Sequence, residues 1–201
     1  MAQPTLYFIR HGETDWNAVS RLQGQRDVPL NDRGRSQARH CAGVLSDLLA
    51  REARNASDFD FIASPLSRAR ETMELMRSGL GLAPDGYRTD GRLAELSFGE
   101  WEGSTYADLR RTPTGPRRLA ERERDKWNFV PPRGESYAQL LVRVGAWYAG
   151  LEADAIVVAH GGVARTLFVL FGMLKPDVAP VHDVDQGVVY LLAPGIMAKH
   201  G

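Results

Sequence analysis

Two apolar runs in this chain stop at the same dipeptide. Residues 7–12 read YFIRHG and residues 157–162 read VVAHGG, so each run ends in His-Gly. An imidazole can serve as proton donor, proton acceptor or nucleophile near neutral pH. The glycines after His11 and His160, Gly12 and Gly161, remove side chains where backbone N–H groups could approach an anion. Arg10 precedes the first histidine, and Arg68 lies early in SPLSRARET, residues 64–72. A guanidinium offers a planar fork suited to bidentate phosphate contact. Gathered together, these four residues make a cationic pocket that is costly to bury unless an anion fills it. One carboxylate joins them. In LAELSFGEWEG, residues 93–103, Glu95 lies between apolar residues, while Glu100 and Glu102 flank Trp101 near glycines and read as solvated turn residues. A carboxyl group in apolar surroundings holds a proton near neutral pH, as a general acid must.

Each histidine alone has a simpler explanation, as a hydrogen-bonded residue with no chemistry. A metal site is the competing use of the pair, but no HxxxH or HExxH spacing is present, and the reading carries no metal and no cofactor. Arg70 precedes Glu74 by four residues, and an exposed helical ion pair accounts for it.

The elements that would carry these residues alternate. Strands are expected at 5–9, 60–63, 155–159 and 187–192, with a short one inside 79–91. Helices are expected at 34–51, from Ser64 (as N-cap, with Pro65 at the first helical position) to 79, and at 135–151 and 163–171. Residues 12–29 read as a loop. Alternation of this kind gives an α/β fold, a mostly parallel sheet covered by helices on both faces. In such sheets ligands bind outside the carboxyl ends of the strands, where both His-Gly pairs fall.

With 201 residues, one domain is expected. Lys+Arg and Asp+Glu are both 25, so no global field draws the chain to nucleic acid or to an anionic membrane. Cys41 is the single cysteine and reads as a small core residue, which excludes an intramolecular disulfide. The first residues lack a basic segment followed by a signal-length apolar run, and no apolar stretch of about 18 residues occurs. A cytoplasmic location is expected. The apolar stretch 187–197 reads as an edge strand, a dimer surface or neither, leaving a homodimer open.

RHGETDWN, LQG, SPLSRARET, ELSFGEWEG and AHGG occur in that order from about residue 6 to residue 171. In this the chain resembles the histidine phosphatase superfamily, the cofactor-dependent phosphoglycerate mutase-like group. The resemblance implies a single domain over 1–201, a three-layer α/β/α sandwich, with a partial cap insertion at about 96–133 and no metal. It implies that His11 becomes a phosphohistidine. Arg10, Asn17, Arg68 and His160 would form the phosphate pocket, Gln23 and Gly24 a second substrate-contact segment, and Glu95 the proton donor. Mutases of the family usually carry Arg-x-Tyr-Gly after the acidic residue. Here Leu96-Ser97-Phe98-Gly99 stands there, as in the phosphatase branch. The expected activity is metal-independent hydrolysis of a small phosphorylated metabolite. A phosphoglycerate mutase and an idle phospho-ligand binder are the alternatives. Within 104–133, Arg110, Arg111, Arg117, Arg118, Arg122, Arg124 and Lys126 alternate with acids. They read as a solvated mixed-charge face, or as a source of one or two grips on a second anion. Trp101, Tyr106 and Trp127 suit the pocket wall or the core equally.

Overall fold

The computed structural model describes residues 3–201. Along the chain the elements are β1 (Leu6–Arg10), α1 (Asp15–Ala18), α2 (Asp32–Arg51), β2 (Asp60–Ala63), α3 (Ser67–Gly79), β3 (Arg88–Thr89), α4 (Tyr106–Arg110), α5 (Gly115–Arg124), α6 (Tyr137–Tyr148), β4 (Ala155–Ala159), α7 (Gly161–Leu170), β5 (Val189–Ala193) and β6 (Ile196–His200). The six strands form one sheet in the order β3-β2-β4-β1-β5-β6. The pairs β2–β3, β2–β4 and β1–β4 are parallel, while β5 runs antiparallel to β1 and β6 antiparallel to β5.

The central strands β1, β2 and β4 are largely apolar because both faces are covered, whereas the edge strands β3 and β6 carry polar, exposed residues. Leu6 and Phe8 join Ala155, Val157 and Ala159 in a cluster under α6 and α7. Tyr7 and Ile9 join Ile156 and Val158 in a second cluster under α2 and α3, which also holds the buried Cys41. This alternation, period two on one strand and opposite faces for its neighbours, makes the α/β/α layering.

Helix starts follow their caps. The Asn31 side chain accepts from Gly34 N–H at the head of α2, and Ser136 forms a reciprocal capping box with Gln139 at the head of α6. Boundaries differ from the sequence expectation in informative places. Ser64 does not cap α3. The helix begins at Ser67 with Leu66 in the cap position, and the Ser64 hydroxyl bonds to His160 instead. The stretch expected to be loop contains the single-turn α1, closed by a Thr14–Asn17 capping box. The chain after β5 continues into a hairpin, so the sheet's edge is β6. In the 96–133 segment, α4 and α5 close over their own small cluster of Trp101, Leu109 and Leu119, with Phe98 and Phe129 against it.

Candidate active site

Strand register brings the histidines together. β1 pairs with β4 through Arg10 opposite Ala159, so the next residues along, His11 and His160, leave the sheet side by side. His11 N–H still donates to Ala159 O at 2.9 Å. On the other side of β4, Ala63 pairs with Val158, which sets Ser64 beside His160. The two imidazole centroids are 5.1 Å apart.

The ring contacts define what each imidazole can do. His11 Nδ1 is 2.7 Å from Gly12 O, which can only accept, so Nδ1 carries the proton and Nε2 is a lone pair. Nε2 accepts from Arg68 Nε at 3.3 Å. His160 Nε2 lies 2.6 Å from Ser64 Oγ, and its buried Nδ1 has no partner. Burial, and then the positive charge of Arg68, push both imidazoles well below the usual histidine value. Both rings are therefore neutral, as a nucleophilic imidazole must be.

Arg68 departs from the expected bidentate grip. Its two terminal nitrogens donate to Arg26 O and Gly24 O, both at 2.8 Å, leaving Nε for His11 and the cavity. The fork is used to hold the 24–26 loop against the site. Arg10 donates through Nη1 to Val184 O at 2.6 Å, and its buried Nε has no partner. Burial lowers the pKa of both guanidiniums, with the Glu95 carboxylate opposing that shift. Among the described residues, five buried side-chain polar atoms lack a partner, and three of them are Arg10 Nε, His160 Nδ1 and Gln23 Oε1. A half-turn of the Gln23 amide would present its NH2 instead. With Nε2 accepting from the Ser64 hydroxyl, His160 Nδ1 would be a donor like Arg10 Nε, and unpartnered donors at one cationic spot suit an anion.

Glu95 accepts from Leu96 N–H at 2.8 Å and from Gly162 N–H at 3.0 Å, which ties it to the first turn of α7. A Cβ on Gly162 would lie 2.3 Å from Glu95 Oε1, so only glycine admits the carboxylate here. Asn17 Oδ1 accepts from Thr14 N–H at 3.2 Å and from Gln186 Nε2 at 3.3 Å, which leaves its NH2 for the cavity. Gly24 has φ +52°, and its missing Cβ makes room for Glu102. That carboxylate is not the solvated turn residue expected. It accepts from Gln25 N–H at 3.0 Å and Phe98 N–H at 3.2 Å, joining the 24–26 loop to the segment after Glu95.

These groups enclose a cavity of about 160 Å³. Arg10, His11, Asn17, Gln23, Gly24, Arg68 and Glu95 all line it. His160 is fully buried beside His11, and of the two glycines after it Gly162 rather than Gly161 forms the wall. The Gly12 N–H, expected to be open to an anion, instead donates to Thr72 Oγ1 at 3.1 Å. Sequence reasoning missed Arg21, Arg165 and Tyr137, which also line the cavity. The i,i+4 step from Gly161 to Arg165 on α7 was the available signal. The bases of 104–133 do not line the cavity. Arg111 pairs with Asp108, Arg117 and Arg118 with Glu121, and Arg122 and Lys126 with Glu123. Trp101 stacks on Phe129 and Trp127 on Tyr137, while Tyr106 lies under Arg122, so all three serve packing. Among the described residues no three His, Cys, Asp or Glu side chains gather into a metal site.

Residues 6–194 match the family described as the histidine phosphatase superfamily (branch 1). Glucosyl-3-phosphoglycerate phosphatase of Mycobacterium tuberculosis (strain CDC 1551 / Oshkosh) is 34% identical over 175 residues, 81% of this chain and 72% of that protein. A 2,3-bisphosphoglycerate-dependent phosphoglycerate mutase of Azorhizobium caulinodans is 30% identical over 204 residues, 94% of this chain and 92% of that protein. The structure of a mycobacterial glucosyl-3-phosphoglycerate phosphatase in complex with VO3 superposes with a TM-score of 0.74 at 30% identity, covering 94% of this chain and 92% of that one.

Proposed function

The chain belongs to branch 1 of the histidine phosphatase superfamily, and from that premise we propose that it hydrolyses a small phosphorylated metabolite through a phosphohistidine on His11. The observation that carries this reading is the His11 lone pair. Nδ1–H is committed to Gly12 O, so Nε2 carries the lone pair at the cavity, where it accepts from Arg68 Nε–H until a phosphoryl oxygen takes that donor.

In the first step Nε2 attacks phosphorus, the P–Nε2 bond forms and the P–O ester bond breaks. Glu95 gives its proton to the departing oxygen. Arg10 Nε, Arg68 Nε, Asn17 NH2 and His160 Nδ1–H supply donors to the phosphoryl oxygens, whose charge spreads as the bond loosens. In the second step Glu95 takes a proton from water, the water oxygen attacks phosphorus, and the P–Nε2 bond breaks to release inorganic phosphate. The charge on Arg10 and Arg68 is fixed before substrate arrives, so it costs no reorganisation during the reaction. A structural neighbour was solved in complex with VO3, an oxyanion that resembles phosphate, which favours an oxyanion ligand for this chain. A chain with a single cysteine suits a reducing compartment such as the cytoplasm. No helix among the described residues is long and apolar enough to cross a membrane.

Phosphate return to the substrate is the second reading, favoured by the near full-length likeness to the Azorhizobium mutase. One assay separates the two. With p-nitrophenyl phosphate as substrate, hydrolysis should persist in EDTA and vanish in His11→Ala, and acid-labile, base-stable phosphoprotein should be trapped by acid quench. Exchange of phosphate between phosphoglycerate positions without net hydrolysis would replace the phosphatase by the mutase. Full turnover in His11→Ala would overturn both.

A further inference from the structure

The proton donor sits on a stretch without regular structure. Residues 95–98 belong to no helix or strand, so no ladder of backbone hydrogen bonds holds Glu95 in place. What holds its main chain comes from α6. Arg143 Nε and Nη2 donate to the two oxygens of Glu135 at 2.8 and 2.9 Å, a planar fork on a planar carboxylate. The guanidinium's other bonds go to main chain. Nη1 donates to Arg92 O at 2.6 Å, and Nη2 donates also to Glu95 O at 3.0 Å. One flat group thus grips two carbonyls three residues apart, and its plane is set by Glu135. Gln25 Nε2 adds a donor to Glu95 O at 3.1 Å, but from an exposed side chain.

Glu135 is tied down in turn. Its N–H donates to Ser97 O at 2.9 Å. A Cβ on Gly134 would lie 2.6 Å from that same carbonyl, so the two backbones touch with no side chain between them. The Arg143 and Glu135 side chains are 22% and 18% exposed, which sets this pair apart from the solvated pairs of α4 and α5. Neither residue lines the cavity, and neither touches the phosphoryl end of a ligand. We propose that Arg143 is a positioning residue for the reaction: held flat by Glu135, it fixes the Glu95 main chain so that the carboxyl group meets the departing oxygen. A lysine could pair with Glu135, but its single nitrogen cannot hold both carbonyls in one plane. The proposal deepens the phosphatase reading and rests on it for the role of Glu95.

Phenyl phosphate and p-nitrophenyl phosphate form a matched pair for the test, alike in shape and unlike in how much the departing oxygen needs a proton. The quantity compared is kcat/KM, which reports the step in which that oxygen leaves. Arg143→Met should lose about ten- to a hundredfold on phenyl phosphate and no more than about threefold on p-nitrophenyl phosphate, the mark of a misplaced acid. Inhibition by inorganic phosphate should hold within about threefold, because the phosphate pocket is untouched. In a Glu95→Gln background the same substitution should change the phenyl phosphate rate by no more than about twofold, since the group it positions is gone. Arg143→Lys keeps a charge opposite Glu135 and should show the same substrate pattern, so the idea stays testable if Arg143→Met folds poorly. Equal losses on both esters, an equal loss of phosphate inhibition, or losses that add fully to those of Glu95→Gln would overturn the positioning role and leave the phosphatase reading standing. Failure of the unsubstituted protein to hydrolyse either ester would sink the phosphatase reading. If it then exchanges phosphate between phosphoglycerate positions, the same loss and the same non-additivity are expected in the exchange rate. A protein with neither activity would overturn both.

Discussion

At the scale of single residues, the site depends on keeping two imidazoles uncharged next to two guanidiniums. His11 and His160 have native pKa values well below the ordinary 6.5, from burial first and then Arg68. The unfolded chain therefore binds protons at these positions that the native protein refuses, and stability rises with pH through that window. Their contribution is complete above the unfolded value and is lost progressively as pH falls below about 6.5. Denaturant unfolding at pH 7.5 and pH 5.5 should give a clearly lower stability at the acid end, and His160→Gln should flatten the difference. An unchanged midpoint would mean that these rings accept protons inside the fold. Glu95 poses a separate question of position. Glu95→Gln should cost about 10²–10⁴ in rate on an alkyl phosphate, the range of a general acid. The loss should be smaller on p-nitrophenyl phosphate, whose acidic leaving group needs little protonation. Gly162→Ala should show the same leaving-group dependence, because its Cβ would occupy the carboxylate's place 2.3 Å from Oε1. Equal losses on both substrates would remove the proton-donor role.

At the scale of elements, the nucleophile's loop is fixed by backbone packed on backbone. A Cβ on Gly34, in the first turn of α2, would lie 2.1 Å from Glu13 O, and one on Gly12 would lie 2.2 Å from Gly34 O. The loop after β1 therefore rests on the start of α2 with no side chain between them, and Gly12 O stays where His11 Nδ1 needs it. Gly34→Ala should destabilise by about 1–3 kcal/mol, the cost of overpacking a close contact. Its activity should fall by more than the unfolded fraction explains. Gly43, exposed on α2 with nothing within 4 Å of its added Cβ, is the control. Gly43→Ala should stabilise by about 0.5–1 kcal/mol through helix propensity. Matching effects from the two substitutions in chemical denaturation would show that helix propensity alone, and not the loop contact, governs Gly34.

At the scale of the whole molecule, a chain of zero net charge concentrates positive charge in one cavity. Filling that cavity with a dianion should relieve native-state repulsion and stabilise the fold by mass action. Inorganic phosphate at a hundred times its Kd should add about 2.7 kcal/mol, or about 5–10 °C in Tm for a domain of this size. Thermal scans in phosphate and in chloride at equal ionic strength separate site binding from general screening. Equal shifts in the two salts would argue against an anion site.

What the amino-acid sequence determined by itself was local and periodic. Apolar runs ending in His-Gly declare a strand and its carboxyl end. Alternation of such runs with helices of 3.6 periodicity declares a covered parallel sheet, and parallel sheets put their ligands at those ends. His11, His160 and Arg10 were legible on those grounds, Arg68 from its place early in a helix after a strand, and Glu95 from its apolar flanks and the family resemblance, before any distance was known. What only the tertiary structure decided depends on register and on which distant segment packs where. Ser64 carries the letters of a helix cap, yet the pairing of β2 with β4 sets it beside His160. Glu102 sits among turn residues, yet it closes a loop that lies almost eighty positions earlier. Arg165 and Tyr137, on α7 and α6, meet only because both helices cover the same face of the sheet. A strand's periodicity is written in neighbouring residues, whereas a meeting between segments is set by the packing of the whole chain.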